Sequence, residues 1–143
     1  MTNPKAVALE SFRLIETGDA NLAERIIAAD YVNLEAADDD DIERQVPGPA
    51  GFLATSQWLR EAFSDLSFEL HETVSEDGLV MVAAIMTGEH TGAFNGIAPT
   101  GTRINHKQVH IFTVADGRIV RHRAVRDDLG LLLQLGWRPD SRH

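Results

Sequence analysis

Two Asp-Gly pairs constrain this chain more than any other feature, because each lies between two stretches with the pattern of β-strands. Asp-Gly favours a two-residue turn between adjacent antiparallel strands. The pair at 77–78 separates residues 66–74 from residues 79–86, and the pair at 116–117 separates residues 103–114 from residues 118–126. The second half of the chain is therefore predicted to form two β-hairpins.

The first half has the period of helices instead. Apolar residues recur at helical spacing from Pro4 until Gly18, which is a typical C-terminal stop. Asp19 or Asn21 can cap a second helix, and residues 31–33 are expected to lead from it into a loop.

A third helix is predicted after Pro49 and ends near Ser64, and a short last helix covers residues 128–135 after a cap at Asp127. Helices followed by antiparallel strands are typical of an α+β fold. Since domains commonly hold about 100 to 150 residues, residues 1–143 are expected to form one domain. A curved sheet around the helices would enclose a cavity, and a flatter sheet is the alternative.

Composition excludes several kinds of partner. The net charge is −9, which argues against nucleic acid and anionic membranes as partners. Part of that charge is an acidic run at residues 38–43, interpreted as a solvated loop, with a cation site as the alternative. The chain has no cysteine, so disulfides and zinc–thiolate sites are excluded. No apolar run approaches the roughly 18 residues of a membrane helix, and we expect a cytoplasmic protein.

Alternation places an unusual set of polar side chains on one face of the last two strands. The third strand carries two histidines and a glutamine on that face, and the fourth strand carries another histidine. Because the strands pair through a tight turn, these side chains are expected to lie close together. The expected set is His106, Gln108, His110 and His122, with Arg126 as a further candidate.

Such a set can perform acid–base chemistry. Histidine has an ordinary pKa of about 6.5, so His110 could remove a proton next to a carbonyl group at neutral pH. The Gln108 amide could stabilise the enolate oxygen that develops. The alternative is a structural role, on an exposed sheet face or as hydrogen-bonded core histidines. Three histidines could also bind a metal, but their spacing gives no ligand signature and no metal is expected.

Short motifs spread over nearly the whole chain resemble the SnoaL-like polyketide cyclases, small proteins of antibiotic pathways. The resemblance implies a cone-shaped α+β barrel, with a curved, mostly antiparallel sheet around the N-terminal helices, and a homo-oligomer. The motifs lie at residues 30–33, 58–64, 88–92, 96–101, 108–110, 116–119, 122–123 and 134–136.

The family closes a ring by an intramolecular aldol reaction on aromatic polyketides, without metal or cofactor. The resemblance implies that an aspartate removes the proton and that a histidine and an asparagine assist, and these two match His110 and Asn33 in this sequence. Further positions that match the family, and are expected to bind substrate, are Trp58, His90, Gln108 and His122. His90 is expected at the pocket rim.

The family's aspartate follows a His-Arg pair, and here that position holds Ala124. An alanine cannot act as a base. Asp127 could replace the aspartate if the strand ends or bulges before it; otherwise Asp127 caps the last helix, and His110 is the best remaining base. Two alternatives stay open: a cofactor-independent hydroxylase component, and a pocket that only binds a hydrophobic small molecule. A carboxylate in the cavity would favour proton abstraction.

Overall fold

The computed structural model describes residues 3–35 and 45–139, which form four helices and one five-stranded mixed sheet. The predicted α+β fold is confirmed, whereas the acidic run at 38–43 lies outside the described residues. In chain order the elements are α1 (Pro4–Thr17), α2 (Ala20–Ile26), β1 (Ile27–Asn33), α3 (Pro49–Ala62), β2 (Phe63–Glu76), β3 (Leu79–His90), β4 (Arg103–Ala115), β5 (Arg118–Arg126) and α4 (Asp128–Gln134).

The C-terminus of α1 and the N-termini of α2 and α4 follow from local chemistry. Gly18 ends α1 with a φ of 69°, in the left-handed region that glycine adopts without a steric penalty. The Asp19 carboxylate then accepts the backbone N–H groups of Asn21 and Leu22 at the start of α2. Asp127 caps α4 in the same way, by accepting the N–H of Gly130 at 2.9 Å. All three ends lie where the sequence predicts them.

The sheet order is β1-β5-β4-β3-β2, and each neighbouring pair from β2 to β5 is antiparallel. Both Asp-Gly pairs have positive φ at both residues, which confirms the two predicted hairpins. The sheet is open, with β1 and β2 as its edges. Since α1 contacts β2, β3, β4 and β5, it covers one face of the sheet.

Two sequence-based expectations were wrong. Residues 31–33 do not lead directly into a loop, because they belong to β1, which pairs in parallel with β5 and places Asn33 opposite His122. The third helix ends at Ala62 rather than near Ser64, because Phe63 already pairs with His90 as the first residue of β2. Neither pairing is a local property of the sequence.

The helices that the structure describes are all too short or too polar to cross a bilayer. The core lies between α1, α3 and the inner face of the sheet, where Phe12 packs edge-on against Phe68 and Phe112. This face of the sheet also builds the polar site.

Candidate active site

A cavity of about 440 Å³ lies between the helices and the inner face of the sheet. Its volume is in the range of small-molecule sites. One wall is aromatic and the other is polar. The aromatic side chains that line the cavity are Phe12, Tyr31, Phe52, Trp58, Phe68, Phe94 and Phe112.

Six polar side chains form a continuous series of contacts along the other wall, and we call this series the polar row. Its central four members come from the inner faces of β4 and β5, and a carboxylate lies at each end. In order, the polar row consists of Glu35, His122, His110, Gln108, His106 and Asp128.

Short distances join the centre of the polar row. His110 Nδ1 lies 2.8 Å from His122 Nε2, and His110 Nε2 lies 2.6 Å from Gln108 Oε1. The Gln108 amide nitrogen lies 3.1 Å from His106 Nδ1. His106 Nε2 is 3.1 Å from Asp128 Oδ1, and His122 Nδ1 is 3.5 Å from Glu35 Oε1. Both nitrogens of His110 are therefore occupied.

Strand geometry explains this arrangement. His110 is paired with Ala124 across β4 and β5, and its neighbours two residues along either strand point to the same face. Gln108 is opposite Arg126, and the other flanking pair is Phe112 with His122. The inner face of this hairpin thus carries polar groups at successive inward positions.

The hydrogen-bond partners define one proton arrangement for neutral rings. The Asp128 carboxylate only accepts, so His106 carries its proton on Nε2 and its Nδ1 accepts from Gln108. Gln108 Oε1 then faces His110, which must carry its proton on Nε2. His110 Nδ1 consequently accepts from His122 Nε2. All four bonds point towards Asp128, and His122 Nδ1 is left as an acceptor beside Glu35.

Burial favours these neutral rings. It lowers the pKa of His122 to about 4 and holds the pKa of His110 well below its ordinary value, to which the neighbouring His122 and His106 also contribute. Burial lowers the pKa of His106 as well, although the Asp128 carboxylate partly opposes that shift. All three imidazoles are therefore uncharged at neutral pH, and His122 Nδ1 is the ring nitrogen of the polar row that stays open to a further proton.

The Glu35 end of the polar row is held by a turn and a cation. Asn33 Oδ1 accepts the backbone N–H of Glu35 at 3.1 Å, as in an Asx turn. The Glu35 carboxylate then forms an ion pair with Arg126 through one oxygen and faces His122 with the other. Burial lowers the pKa of Arg126 to about 10, which leaves it cationic at neutral pH.

The structure brings together most of the residues that the sequence singled out. The cavity is lined by Asn33, Trp58, His106, Gln108, His110 and His122. Asp127 and His90 are not among the lining residues. In the part of the chain that the structure describes, no group of three or more His, Cys, Asp or Glu is arranged to hold a metal ion.

His90 lies outside the cavity because β3 continues beyond the cavity. Met86, four residues earlier on the same face, lines the cavity, whereas His90 is fully buried at the end of the strand. There its Nδ1 accepts the backbone N–H of Thr100 at 3.2 Å, and its ring packs on Phe63. His90 therefore fastens the connection between β3 and β4 through its Nδ1.

That connection, residues 91–102, nevertheless contributes to the cavity. Phe94 and Asn95 line it, and Phe94 packs against Trp58 with ring centroids 5.2 Å apart. Gly92 is required by the close approach to α3, because a Cβ there would overlap the carbonyl oxygen of Glu61. The connection thus forms part of the pocket rim, through residues other than His90.

Asp127 points away from the cavity, towards the outer face of the sheet, where it lies near Lys107 and Val125. Its carboxylate accepts the Gly130 N–H, so its role is that of the helix cap. The next residue, Asp128, reaches the cavity instead. Sequence reasoning missed Asp128 because the chain leaves the strand after Arg126 and the alternation no longer applies.

Sequence reasoning also missed Glu35. The signal available was its position two residues after Asn33, but only the parallel pairing of β1 with β5 shows that this end of β1 lies beside His122. Among the residues that the structure describes, two carboxylates reach the cavity, those of Glu35 and Asp128, and neither is the Asp127 carboxylate proposed as the base from the sequence.

Comparisons with known proteins agree with this architecture. The family model for the SnoaL-like polyketide cyclases matches residues 6–135. Aklanonic acid methyl ester cyclase DnrD of Streptomyces peucetius is 32% identical over 122 residues, which is 78% of this chain and 84% of that protein. Nogalonic acid methyl ester cyclase of Streptomyces nogalater is 32% identical over 133 residues, covering 86% of this chain and 96% of that protein.

Solved structures show the same fold. IdmH from Streptomyces antibioticus, provisionally described as a polyketide cyclase, has a TM-score of 0.79 and 26% identity, and covers 94% of this chain and 99% of that one. AclR from Streptomyces galilaeus, provisionally described as a hydroxylase, has a TM-score of 0.75 and 27% identity, and covers 96% of this chain and 87% of that one. Family model, relatives and fold agree, and this chain belongs to the family of SnoaL-like polyketide cyclases.

Proposed function

We propose that this protein is a polyketide cyclase that closes a ring in an aromatic polyketide, or a related carbonyl compound, by an intramolecular aldol reaction. The reaction needs a base for the proton next to one carbonyl, and stabilisation of the enolate oxygen. The proposal uses groups of the chain alone and no cofactor. The observation that carries it is the polar row, a set of neutral imidazoles and an amide that ends in two carboxylates and lines a small-molecule cavity.

His110 is the centre of the proposed acid–base system. Its ring is held edge-on against Phe12 and bonded on both sides, so its position is fixed before substrate enters. A change of charge or hydrogen bonding at either neighbour is passed through this ring to the other. Gln108 has a second N–H, whose partner among the described residues is the Met86 sulfur at 3.8 Å, and this N–H can donate to a substrate oxygen instead.

Proton exchange in D₂O tests this function without requiring the natural substrate. The wild-type protein is incubated with a panel of β-keto aromatic esters, and loss of the α-hydrogen signal is followed by NMR. We expect faster exchange than in buffer, and a reduction of about 100-fold or more in His110→Ala, as is typical when an acid–base group is removed. His71→Ala is the matched control, because His71 lies on β2 outside the polar row, paired with Glu69 at 3.2 Å.

Exchange at the buffer rate with every ester, while the esters bind, would contradict proton abstraction and favour a protein that only binds its ligand. Equal reductions of the exchange rate in His110→Ala and His71→Ala would contradict the proposed role of His110. The thermal unfolding of both variants is measured alongside, so that loss of fold is separated from loss of chemistry.

Hydroxylation is the second candidate function, and two observations favour it. Ala124 stands where the family resemblance implies an aspartate, and AclR, provisionally described as a hydroxylase, is similar over 96% of this chain. Product mass separates the two functions. An aldol ring closure is an isomerisation and leaves the mass unchanged. Hydroxylation inserts one atom of O₂, which ¹⁸O₂ would label, and the second atom leaves as water with two electrons from a reductant that the assay supplies.

A homo-oligomer and a cytoplasmic location are also part of our proposal. The face of the sheet opposite the cavity carries Val109 paired with Val125, and their side chains are 41% and 66% exposed. Apolar side chains on an open sheet face are typical of a surface that another copy covers. Light scattering tests the oligomer, with Val125→Lys expected to weaken it, and cell fractionation tests the location.

A further inference from the structure

The carboxylate of Glu35 spans the position of Ala124. It contacts His122 with one oxygen and Arg126 with the other, and these two residues flank Ala124 on the same face of β5. Ala124 is also the residue opposite His110 in the sheet. The turn that follows β1 therefore places the Glu35 carboxylate in the space that the short Ala124 side chain leaves on this face of β5.

This carboxylate is placed for chemistry as well as for an ion pair. Glu35 lines the cavity, and its side chain is 26% exposed, so it remains within reach of a bound molecule. Arg126 balances its charge, which lets a carboxylate persist in a partly buried site. At the same time the hydrogen bonds of the polar row leave His122 Nδ1 as an acceptor that faces Glu35 Oε1.

We propose that Glu35 is the base that takes the substrate proton, and this inference rests on the proposed function. The C–H bond next to the carbonyl breaks, its electron pair forms the enolate, and the proton moves to Glu35. The enolate carbon then forms the new C–C bond to the second carbonyl, whose oxygen receives the proton back from Glu35. The substrate is isomerised and the base is restored, so no further reactant is needed.

The polar row offers a protonated Glu35 a hydrogen bond that its carboxylate form cannot make. Before proton transfer, two acceptors face each other at 3.5 Å, the carboxylate oxygen and His122 Nδ1. After transfer, the Glu35 O–H can donate to that nitrogen, and a hydrogen bond forms that did not exist before. His122 is thereby a positioning residue, and His110 and Gln108 hold it in the tautomer that the bond requires.

Two variants test the inference in the same D₂O exchange assay. Glu35→Gln keeps the shape of the side chain but cannot take a proton, and exchange should fall by about 100-fold or more. In the double variant Glu35→Gln with Ala124→Asp, a carboxylate returns to the same space from β5, beside the same histidine and arginine. Exchange should recover by about tenfold or more relative to Glu35→Gln.

Glu69→Gln is the matched control, because Glu69 pairs with His71 on β2 as Glu35 pairs with His122, outside the cavity. It should exchange as the wild type does. Exchange in Glu35→Gln at the wild-type rate would overturn the inference and leave the proposed function standing. A loss that Ala124→Asp does not reverse would also overturn it, since a carboxylate at this place would not be the missing group. Wild-type protein that exchanges no ester would contradict the proposed function itself.

Discussion

The two ends of the polar row make the same kind of contact in different surroundings. At both ends a carboxylate oxygen faces an imidazole nitrogen, at 3.5 Å for Glu35 and 3.1 Å for Asp128. The Glu35 side chain is 26% exposed and is paired with Arg126, whereas the Asp128 side chain is 75% exposed and lies in the first turn of α4. Distance alone would rank Asp128 as the stronger partner.

The difference shows that surroundings decide what each contact does. Water screens the charge of Asp128, so its contribution to stability is small, but its carboxylate still fixes which nitrogen of His106 carries the proton. Glu35 is closer to the protein interior, where charges interact more strongly, and it faces an imidazole nitrogen without a proton. Asp128 therefore orients the polar row, and Glu35 is the end that can change state.

Removing the hydrogen bonds of Gln108, at the centre of the polar row, should have the largest effect on stability. Gln108→Leu leaves two buried groups without partners, the Nε2–H of His110 and the Nδ1 of His106, and each such group typically costs 1 to 3 kcal/mol. We expect the free energy of unfolding to fall by about 4 kcal/mol in urea titrations.

Lys107→Leu is the matched control, since Lys107 is the preceding residue on β4 and is exposed on the opposite face. Its effect should stay within about 0.5 kcal/mol. Equal losses of unfolding free energy in Gln108→Leu and Lys107→Leu would contradict this prediction. They would show that the two ends of the polar row are held independently of Gln108.

Acid should destabilise the protein through the buried histidines. The unfolded chain binds a proton at each histidine near pH 6.5, whereas burial lowers the pKa of His122 to about 4 in the folded protein. Between these values the unfolded state binds more protons, so stability present above pH 6.5 is lost as the pH falls. His122 alone should contribute a loss of about 3 kcal/mol by pH 4.

Urea titrations of the wild type and His122→Gln at pH 7 and pH 4.5 measure this loss. The wild type should lose more stability than the variant, because glutamine does not titrate. If both lose the same amount, His122 is not held neutral, and the Glu35 end of the polar row carries a shared proton even before substrate binds.

The centre of this site could be predicted from the sequence, and its ends could not. His106, Gln108 and His110 lie two residues apart on β4, and His122 lies on β5, which an Asp-Gly turn joins to β4. Alternation and one hairpin were therefore enough to place the four together. The same local signals predicted the helix ends at Gly18 and Asp127 and the α+β fold, because a cap or a turn depends on a few neighbouring residues.

The ends depend on pairings that no local signal reports. Glu35 reaches the site because β1 pairs with β5, nearly ninety residues later in the chain, and Asp128 because the chain turns into α4 just after β5. His90 matched the family pattern, yet its side chain lies beyond the cavity because β3 continues for four residues past Met86, which lines the cavity. Sequence motifs and alternation predict which face of a strand carries the site. Tertiary pairing determines which residues along that strand belong to it.

Asp128→Asn should have the smallest effect and sharpens the comparison most directly. The asparagine oxygen can still accept the Nε2–H of His106, so the direction of the hydrogen bonds is kept while the charge is removed. Because the Asp128 side chain is 75% exposed, the free energy of unfolding should change by less than about 1 kcal/mol. The carboxylate raises the pKa of His106 against the larger effect of burial, so that pKa should fall further in the variant, as NMR titration of the imidazole Cε1–H signals would show. A rise in the pKa of His106, or a loss of stability as large as that expected for Gln108→Leu, would mean that the exposed end is as tightly coupled to the polar row as the buried one, and the contrast between the two carboxylates would fail.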